Sequence, residues 1–294
     1  MISRRSLPAL LLAVSPLAML PLARPATALP GRIAVAGGGV AEMLCALGLE
    51  SRICGADSTA QHPAALRALP QLGYQRALSA EGVLSLRPDI LVHAHEAGPP
   101  AVLAQLRAAG LRLLGVPRVA DAEGLVAAIQ MLGQELGADP APVTTALRED
   151  FAALAAMLPR EPEPRALFLL SAGNGAPQAS GRGTAAAAMF GLAGIRNVLQ
   201  AYEGYRPLSP EAALGLGVDW LVAPKHSVEA RGGRVAFLAQ PQVALLPAAR
   251  AGRLYTDDSL YLLGFGPRTA HAARDLAAAL HGVTLPPLPE RPWL

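Results

Sequence analysis

Short apolar runs alternate with alanine- and leucine-rich stretches of helical period along most of this 294-residue chain. The apolar runs predict strands at 33–36, 52–56, 90–93 and 111–116, and again at 166–170, 220–223 and 253–256. Between them the pattern predicts helices at 40–47, 100–109, 184–192 and 269–280. Such alternation is typical of an α/β fold whose strands are mostly parallel.

A longer helical pattern separates two such sets of elements. Residues 122–136 follow Asp121, a residue type that often caps helices, and an amphipathic pattern then runs from 142 to 158. The charged, proline-rich segment 160–164 ends it. We therefore predict two Rossmann-like lobes, 29–137 and 161–294, joined by one long backbone helix within 138–160. A cleft between such lobes favours ligand binding. The proline-rich tail from 286 is predicted to be loosely ordered.

The first 28 residues have the pattern of a secretory signal peptide. Arg4 and Arg5 precede an apolar stretch at 9–22, and Ala26-Thr27-Ala28 matches a small-x-small cleavage site. The arginine pair leaves both Sec and twin-arginine export open. No cysteine stands at the cleavage site to carry a lipid. We therefore expect a mature protein that is free in the periplasm.

Removal of this segment also removes three arginines and no acid, so 25 − 3 = 22 basic residues face 22 acidic ones. A mature chain without net charge gives no bulk attraction to nucleic acid or to anionic membranes. Two lobes can each bury a substantial core within the remaining length. These properties are those of a soluble chain with two cores, and they do not support a nucleic-acid-binding role.

The sequence contains no motif that is typical of a catalytic or a metal-binding site. The run Gly37-Gly38-Gly39 lacks dinucleotide-loop spacing and predicts a tight strand-to-helix turn. No nucleophile elbow occurs, and the carboxylate pairs at 149–150 and 257–258 are expected to be solvated or capping groups, so no enzyme is predicted. His93 and His95 are expected on one face, as a chance pair rather than a metal site. Cys45 and Cys54 are expected as two core thiols, with a disulfide left open.

Four stretches of the chain carry a resemblance to a known family. They are Leu72-Gly73-Tyr74-Gln75-Arg76 with its continuation to Asp89, Glu96-Ala97-Gly98-Pro99-Pro100, Ala179-Ser180-Gly181-Arg182-Gly183-Thr184, and Leu262-Leu263-Gly264-Phe265-Gly266-Pro267-Arg268. Together they resemble the periplasmic haem-binding proteins of bacterial haem-uptake ABC transporters, within the class III, cobalamin- and siderophore-type binding proteins. The resemblance spans both lobes.

This resemblance implies a set of ligand-binding residues. Tyr74 matches the tyrosine whose phenolate is an axial ligand of ferric haem iron, and phenolate oxygen suits that ion. Arg76 is implied as a neighbour that stacks on the porphyrin or pairs with a propionate. In the loop predicted after the strand at 220–223, His226 stands where several members have a basic residue, next to Lys225. It either supports the phenolate, is a second axial ligand, or is a solvated loop histidine. Residues 171–175 lack the histidine of two-haem members, so we expect one haem b per chain.

The resemblance also implies how the protein meets its partner. Glu81 and Glu211 each open a predicted helix, one per lobe, at positions where such proteins dock onto arginines of the ABC permease in the inner membrane. Each is also suited to a helix N-terminus by the helix dipole. We expect a monomer that delivers haem. The alternatives are a siderophore or cobalamin carrier, or a metal-ion carrier that uses the two histidines, on the same scaffold.

Overall fold

A computed structural model of the chain describes residues 30–170 and 175–294. The predicted signal peptide, residues 1–28, and the stretch 171–174 on which the expectation of a single haem depends lie outside the described residues. Within the two described ranges, no helix has both the length and the apolar content that crossing a membrane requires.

The first lobe is built on a four-stranded sheet in the order β2-β1-β3-β4, with every neighbouring pair parallel. Its strands are β1 (Ile33–Ala36), β2 (Ile53–Ala56), β3 (Ile90–Ala94) and β4 (Arg112–Val116). Its helices are α1 (Gly38–Ala46), α2 (Ala80–Ser85) and α3 (Pro100–Ala108). The predicted strands and helices of this lobe are confirmed to within two residues at each end.

Two consecutive helices, α4 (Ala122–Leu136) and α5 (Ala141–Met157), lead from the first sheet to the second and pack against each other. The Asp121 carboxylate caps α4 by accepting a hydrogen bond from the Gly124 amide at 2.7 Å. Gly137 ends α4 in the left-handed conformation, with φ of 70°, which glycine adopts without steric cost.

The second lobe contains a mixed sheet in the order β10-β9-β5-β6-β8, and β7 also pairs with β5. In chain order its elements are β5 (Arg165–Leu170), β6 (Gln178–Ser180), α6 (Ala185–Leu192), β7 (Arg196–Asn197), β8 (Tyr205–Pro207), α7 (Pro210–Leu214), β9 (Trp220–Pro224), α8 (Lys225–Glu229), α9 (Arg234–Leu238), α10 (Pro247–Arg250), β10 (Leu254–Asp257), α11 (Ser259–Leu263) and α12 (Thr269–His281). Strand β6 pairs in antiparallel orientation with both β5 and β8. The pairs β5–β7, β5–β9 and β9–β10 are parallel. Most strand pairs in the molecule are thus parallel, which confirms the predicted fold class.

One hydrophobic core extends through both lobes. It contains residues of the first sheet, such as Ile33 and Val92, residues of α4 and α5, such as Ile129 and Leu147, and Phe168 of the second sheet. Phe168 packs edge to face against Phe190 of α6, with ring centroids 6.3 Å apart. A core that continues through α5 couples the two lobes by packing as well as by chain connection.

The glycine run after β1 lies where the two lobes touch. A methyl group at Gly39 would be 1.8 Å from the carbonyl oxygen of Gly264, so only glycine allows this approach of the backbones. Nearby, the Arg268 guanidinium binds the Glu42 carboxylate at 2.6 Å. Burial raises the pKa of Glu42, and Arg268 opposes this rise. The run is thus a strand-to-helix turn, as predicted, and it packs against the Gly264–Arg268 stretch.

The C-terminal tail is packed, so the prediction of loose order is wrong. Leu288 is buried in the core, and the ring of His62 in the first lobe contacts the Trp293 carbonyl oxygen at 3.2 Å. Arg291 binds Asp150 of α5 at 2.6 Å. Asp150 is fully buried rather than solvated, because this guanidinium compensates the cost of removing its charge from water. A proline-rich segment lacks regular structure but can still be held by side-chain contacts.

The two thiols, Cys45 on α1 and Cys54 on β2, are free and half-buried. Burial raises the pKa of Cys45 to about 12 and raises the pKa of Cys54 as well. Both groups are therefore protonated, weakly reactive thiols at neutral pH.

Candidate functional site

Tyr74 is an exposed aromatic residue on the loop that connects β2 to α2. Its side chain is 46% exposed, although its neighbours Leu72 and Gln75 are buried. A single turn of 3-10 helix, Gln75–Ala77, follows it directly. Because the side chains of Leu72 and Gln75 are buried, the loop leaves the phenol of Tyr74 exposed to solvent.

A buried carboxylate, Asp57, fixes this loop from below. Its side chain accepts hydrogen bonds from the backbone amides of Gly37 at 2.7 Å, Thr59 at 3.0 Å and Gln75 at 3.1 Å, and from the Thr59 hydroxyl. Asp57 is fully buried. It therefore joins the segments that follow β1 and β2 to the amide directly after Tyr74. Sequence reasoning missed this residue, although an Asp-x-Thr turn after a strand is a usable signal.

A second pair of hydrogen bonds holds the loop from the side. The Gly98 amide donates to the Gln75 carbonyl at 2.9 Å, and the Leu78 amide donates to the Gly98 carbonyl at 2.8 Å. The two first-lobe stretches that carry the resemblance, 72–89 and 96–100, are thus in direct contact. The segment that directly follows Tyr74 is therefore held by both Asp57 and Gly98.

Arg76 extends from the same turn and contacts the segment that follows β3. Its guanidinium lies 3.6 Å from the Glu96 carboxylate, which also lies 2.6 Å from the Nδ1 atom of His95. Arg76 is exposed, so this ion pair contributes little to stability and leaves the guanidinium free to take another partner. Tyr74 and Arg76 are therefore presented together.

The histidine pair does not share an environment, so the expectation of a common face is wrong. His93 is buried at the end of β3 and its Nδ1 atom lies 2.9 Å from the Ala94 carbonyl oxygen, whereas His95 is exposed in the turn beyond the strand. The alternation of a strand does not extend to His95 because β3 ends at Ala94. In residues 30–170 and 175–294, no group of three or more His, Cys, Asp or Glu side chains is placed to hold a metal ion.

Where the two lobes meet, arginines of the first lobe lie near groups of the second lobe. Arg118, after β4, donates a hydrogen bond to the Gly183 carbonyl of the second lobe. Burial raises the pKa of Tyr205 on β8, and the positive charges of Arg76 and Arg118 oppose that rise. Tyr205 of the second lobe therefore lies within range of the charges of these two first-lobe arginines. Sequence reasoning missed both Arg118 and Tyr205, since neither lies in a recognisable motif.

A cavity of about 590 Å³ lies at the place where Arg118 meets the second lobe. Arg118, Arg182 and Arg196 line it together with one carboxylate, Glu163. Tyr74 is not among its lining residues. The excess of guanidinium groups makes this edge of the lobe junction suited to carboxylate groups of a ligand.

His226 lies in the first turn of the short helix α8, directly after β9, rather than in the predicted loop. Its side chain is exposed, and its Nε2 atom lies 3.4 Å from the Ser227 hydroxyl. Lys225 next to it is exposed as well. The described contacts of His226 do not reach Tyr74 or Arg76, so the structure brings together only two of the three predicted ligand-binding residues.

Glu81 and Glu211 each lie in the first turn of a helix, α2 and α7, which confirms their predicted helix-start positions. Both are exposed. Hydrogen bonds from its own backbone amide and from the Ser209 hydroxyl lower the pKa of Glu211, so this carboxylate is ionised at neutral pH. Each lobe therefore has an exposed glutamate at a helix start.

Two α/β lobes joined through a long helix are the architecture of the class III type of substrate-binding protein. The family model for periplasmic binding proteins matches residues 33–261, and the chain belongs to this family. Membership of a family of binding proteins agrees with the prediction that the chain is no enzyme. A sequence search of curated proteins finds no match.

Solved structures of similar proteins extend over most of the chain. The periplasmic heme-binding protein BhuT in complex with two hemes is 39% identical, with a TM-score of 0.79, over 85% of this chain and 98% of that chain. RhuT, a periplasmic heme-binding protein from Roseiflexus sp. RS-1 in apo form, is 35% identical, with a TM-score of 0.82, over the same shares. A periplasmic heme binding protein from Pseudomonas aeruginosa is 38% identical, with a TM-score of 0.80, over 88% and 96%.

Proposed function

We propose that this protein binds haem between its two lobes in the periplasm and delivers it to an ABC permease. The observation that carries the proposal is the exposed phenol of Tyr74, which directly precedes Gln75, a residue whose backbone is held by both Asp57 and Gly98. Similarity to three periplasmic heme-binding proteins, at 35–39% identity, supports it. A preorganised anionic oxygen is a suitable axial ligand for ferric iron.

Other residues of both lobes suit the rest of the haem molecule. Arg76 can exchange its weak contact with Glu96 for a haem propionate or stack on the porphyrin face. The arginine-lined cavity at Arg118 offers further donors to the propionates. His226 is the candidate second axial ligand or the base that supports the phenolate, once the lobes hold haem between them. Haem is the cargo in this proposal and undergoes no reaction.

Titration of the purified mature protein with hemin tests the proposal. We expect a Soret band with a tyrosinate–iron charge-transfer band, and a break at one equivalent of haem b per chain. A break at two equivalents, as the two-heme complex of BhuT makes conceivable, would contradict the single-haem expectation. Titration with cobalamin or with a ferric siderophore is the control, and saturable binding of either without hemin binding would favour the alternative cargo.

Delivery requires a surface that the permease recognises, and we propose Glu81 and Glu211 as its charged part. Both carboxylates are exposed, and each belongs to a different lobe. A rigid partner that contacts both can sense the separation of the lobes. Charges at the rim of an interface act mainly on encounter rate and orientation. We propose that the protein acts as a monomer in this step.

The double substitution Glu81→Gln with Glu211→Gln tests this surface. Hemin binding is expected to survive, because both glutamates are exposed at helix starts and neither is a proposed iron or propionate ligand. Haem uptake into proteoliposomes that contain the cognate permease is expected to fall by roughly tenfold, and by more than either single change, through slower association. Glu123→Gln, another exposed first-turn acid on α4, is the matched control. Uptake that does not respond to the double change would reduce both residues to helix-start acids.

A further inference from the structure

The segments that carry Glu81 and Glu211 are two copies of one pattern. The first-lobe copy reads Ser79-Ala80-Glu81-Gly82-Val83-Leu84-Ser85-Leu86-Arg87-Pro88-Asp89-Ile90-Leu91-Val92, and the second-lobe copy reads Ser209-Pro210-Glu211-Ala212-Ala213-Leu214-Gly215-Leu216-Gly217-Val218-Asp219-Trp220-Leu221-Val222. Seven of the fourteen positions are identical without any gap: Ser, Glu, Leu, Leu, Asp, Leu and Val. The glutamates thus belong to a repeat that links the lobes.

The two copies also have the same hydrogen bonds at their start. The Ser79 hydroxyl accepts from the Gly82 amide at 3.2 Å, and the Ser209 hydroxyl accepts from the Ala212 amide at 3.1 Å. Each serine therefore caps its helix in the same way, and each glutamate occupies the second helical position.

The far end of each copy is anchored by an equivalent pair of bonds. In the first lobe the Asp89 carboxylate accepts from the Arg32 amide at 2.8 Å, and in the second the Asp219 carboxylate accepts from the Arg165 amide at 3.0 Å. The Asp89 and Asp219 amides donate in return to the Arg32 and Arg165 carbonyls. In each lobe the strand after the copy, β3 or β9, lies beside the first strand, β1 or β5. The copies are structural equivalents.

Each copy leaves one large apolar side chain in solvent. Leu84 is 38% exposed and Leu214 is 69% exposed, and each lies three positions after the docking glutamate. Residues three apart on a helix share a face, so leucine and glutamate are neighbours on the surface. The residue before each leucine, Val83 or Ala213, is fully buried and supplies the core contact of its helix. The leucines are therefore available to another molecule.

We propose that Leu84 and Leu214 are contact residues of the docking surface, which thus consists of two equivalent Glu–Leu pairs, one on each lobe. The proposal rests on the delivery function above. Its occupant is a permease with two equivalent halves, each of which presents a cationic side chain beside an apolar recess. Two copies of one pattern fit a two-fold symmetric partner, since each half can make the same contact. Glutamate orients the encounter, and burial of leucine contributes affinity.

The charges of the described surface support a basic partner. Neither Glu81 nor Glu211 takes part in an ion pair among the described residues, and neither α2 nor α7 contains a basic residue. Each carboxylate is thus free to accept an external cation, while the leucine beside it excludes water from that contact. Low local dielectric strengthens such a bond.

The test compares Leu84→Gln, Leu214→Gln and the double variant, since glutamine keeps helix propensity and length. The measured quantities are the hemin titration and the dissociation constant for the permease–ATPase complex in lipid nanodiscs, at low and at high salt. We expect roughly a tenfold weakening of docking for each leucine and on the order of a hundredfold for both, by the same factor at both salt concentrations. The Glu81→Gln, Glu211→Gln variant should instead flatten the salt dependence. Hemin binding should be unchanged in all.

Val235→Gln on α9 is the matched control, because that side chain is 83% exposed and lies outside both copies. Equal weakening by the control would overturn the assignment to the leucines. A second outcome is docking that is unchanged in the double leucine variant and weakened in the Glu81→Gln, Glu211→Gln variant. That result would overturn the leucine contact and retain the two glutamates as the docking surface. A dimer of the free protein that the leucine changes dissociate would assign the surface to a second copy of this chain. Failure of the unmodified protein to bind hemin would reject the proposed cargo without affecting the docking result.

Discussion

Tyr74→Phe is expected to remove the tyrosinate–iron charge-transfer band from the hemin complex and to weaken hemin binding by at least about a hundredfold. Changes to groups that only orient a metal ligand cost roughly 10–100-fold, so loss of the ligand atom itself should cost more. Phenylalanine preserves the ring and deletes only the oxygen. Because the side chain is exposed, the folded protein should be unaffected. Absorbance titration and thermal unfolding measure the two effects separately.

The matched control is Tyr261→Phe, whose phenol bonds to Asp275 at 2.8 Å within the second lobe. This variant loses an internal hydrogen bond worth about 1 kcal/mol of stability and should retain the hemin spectrum. Tyr74→Phe protein with the spectrum and affinity of the unmodified protein would show that the iron ligand lies elsewhere, and His226 would then be the first residue to replace.

Asp57→Asn is expected to weaken hemin binding by roughly tenfold or more and to lower the free energy of unfolding by about 2 kcal/mol. Both carboxylate oxygens accept hydrogen bonds, one from Gly37 and the other from Thr59 and Gln75. An amide can present only one acceptor oxygen, so its NH₂ group must face at least one of these donors. The loop that holds Tyr74 then loses its anchor, although no residue that faces the haem has changed. Hemin titration and denaturant unfolding test the two parts.

Asp121→Asn is the control for this change, since Asp121 accepts one amide bond at the start of α4 and asparagine caps helices equally well. It should alter neither stability nor hemin binding appreciably. If Asp57→Asn lowers stability but the remaining folded protein binds hemin with full affinity, Asp57 is a structural residue only and Tyr74 does not depend on it for its position.

The regular elements of the fold were largely predictable because each buries a continuous apolar pattern. The strand at 33–36 and the helix at 122–136 have the predicted bounds. The strands β6, β7 and β8 were missed, since runs of two or three residues with polar members carry no detectable period. β8 nevertheless holds Tyr205, so this tyrosine, whose pKa is affected by Arg76 and Arg118, was missed with it.

Some residues of the candidate site could be predicted from neighbouring sequence, whereas others depend on contacts between distant parts of the chain. Tyr74, Arg76 and the two glutamates belong to contiguous motifs, and their local structure follows from nearby residues. Asp57 acts through donors about 20 positions away on either side, and Arg118 meets Gly183 in the other lobe. Contacts of this kind depend on how the lobes pack, which no sequence window contains. The same limit explains the tail, where Arg291 and Asp150 are 141 positions apart.

The packed tail gives the molecule a mechanical property. It continues from α12 in the second lobe, binds α5 through Arg291 and ends against His62 of the first lobe. The tail therefore crosses the junction between the lobes. A rotation of the lobes that widens the cleft must either extend this tail or break one of its contacts. The stiffness of the cleft is thus set partly by residues far from any ligand. A change in the last few residues of this chain is therefore expected to alter how readily the lobes separate, without changing any residue proposed to contact haem.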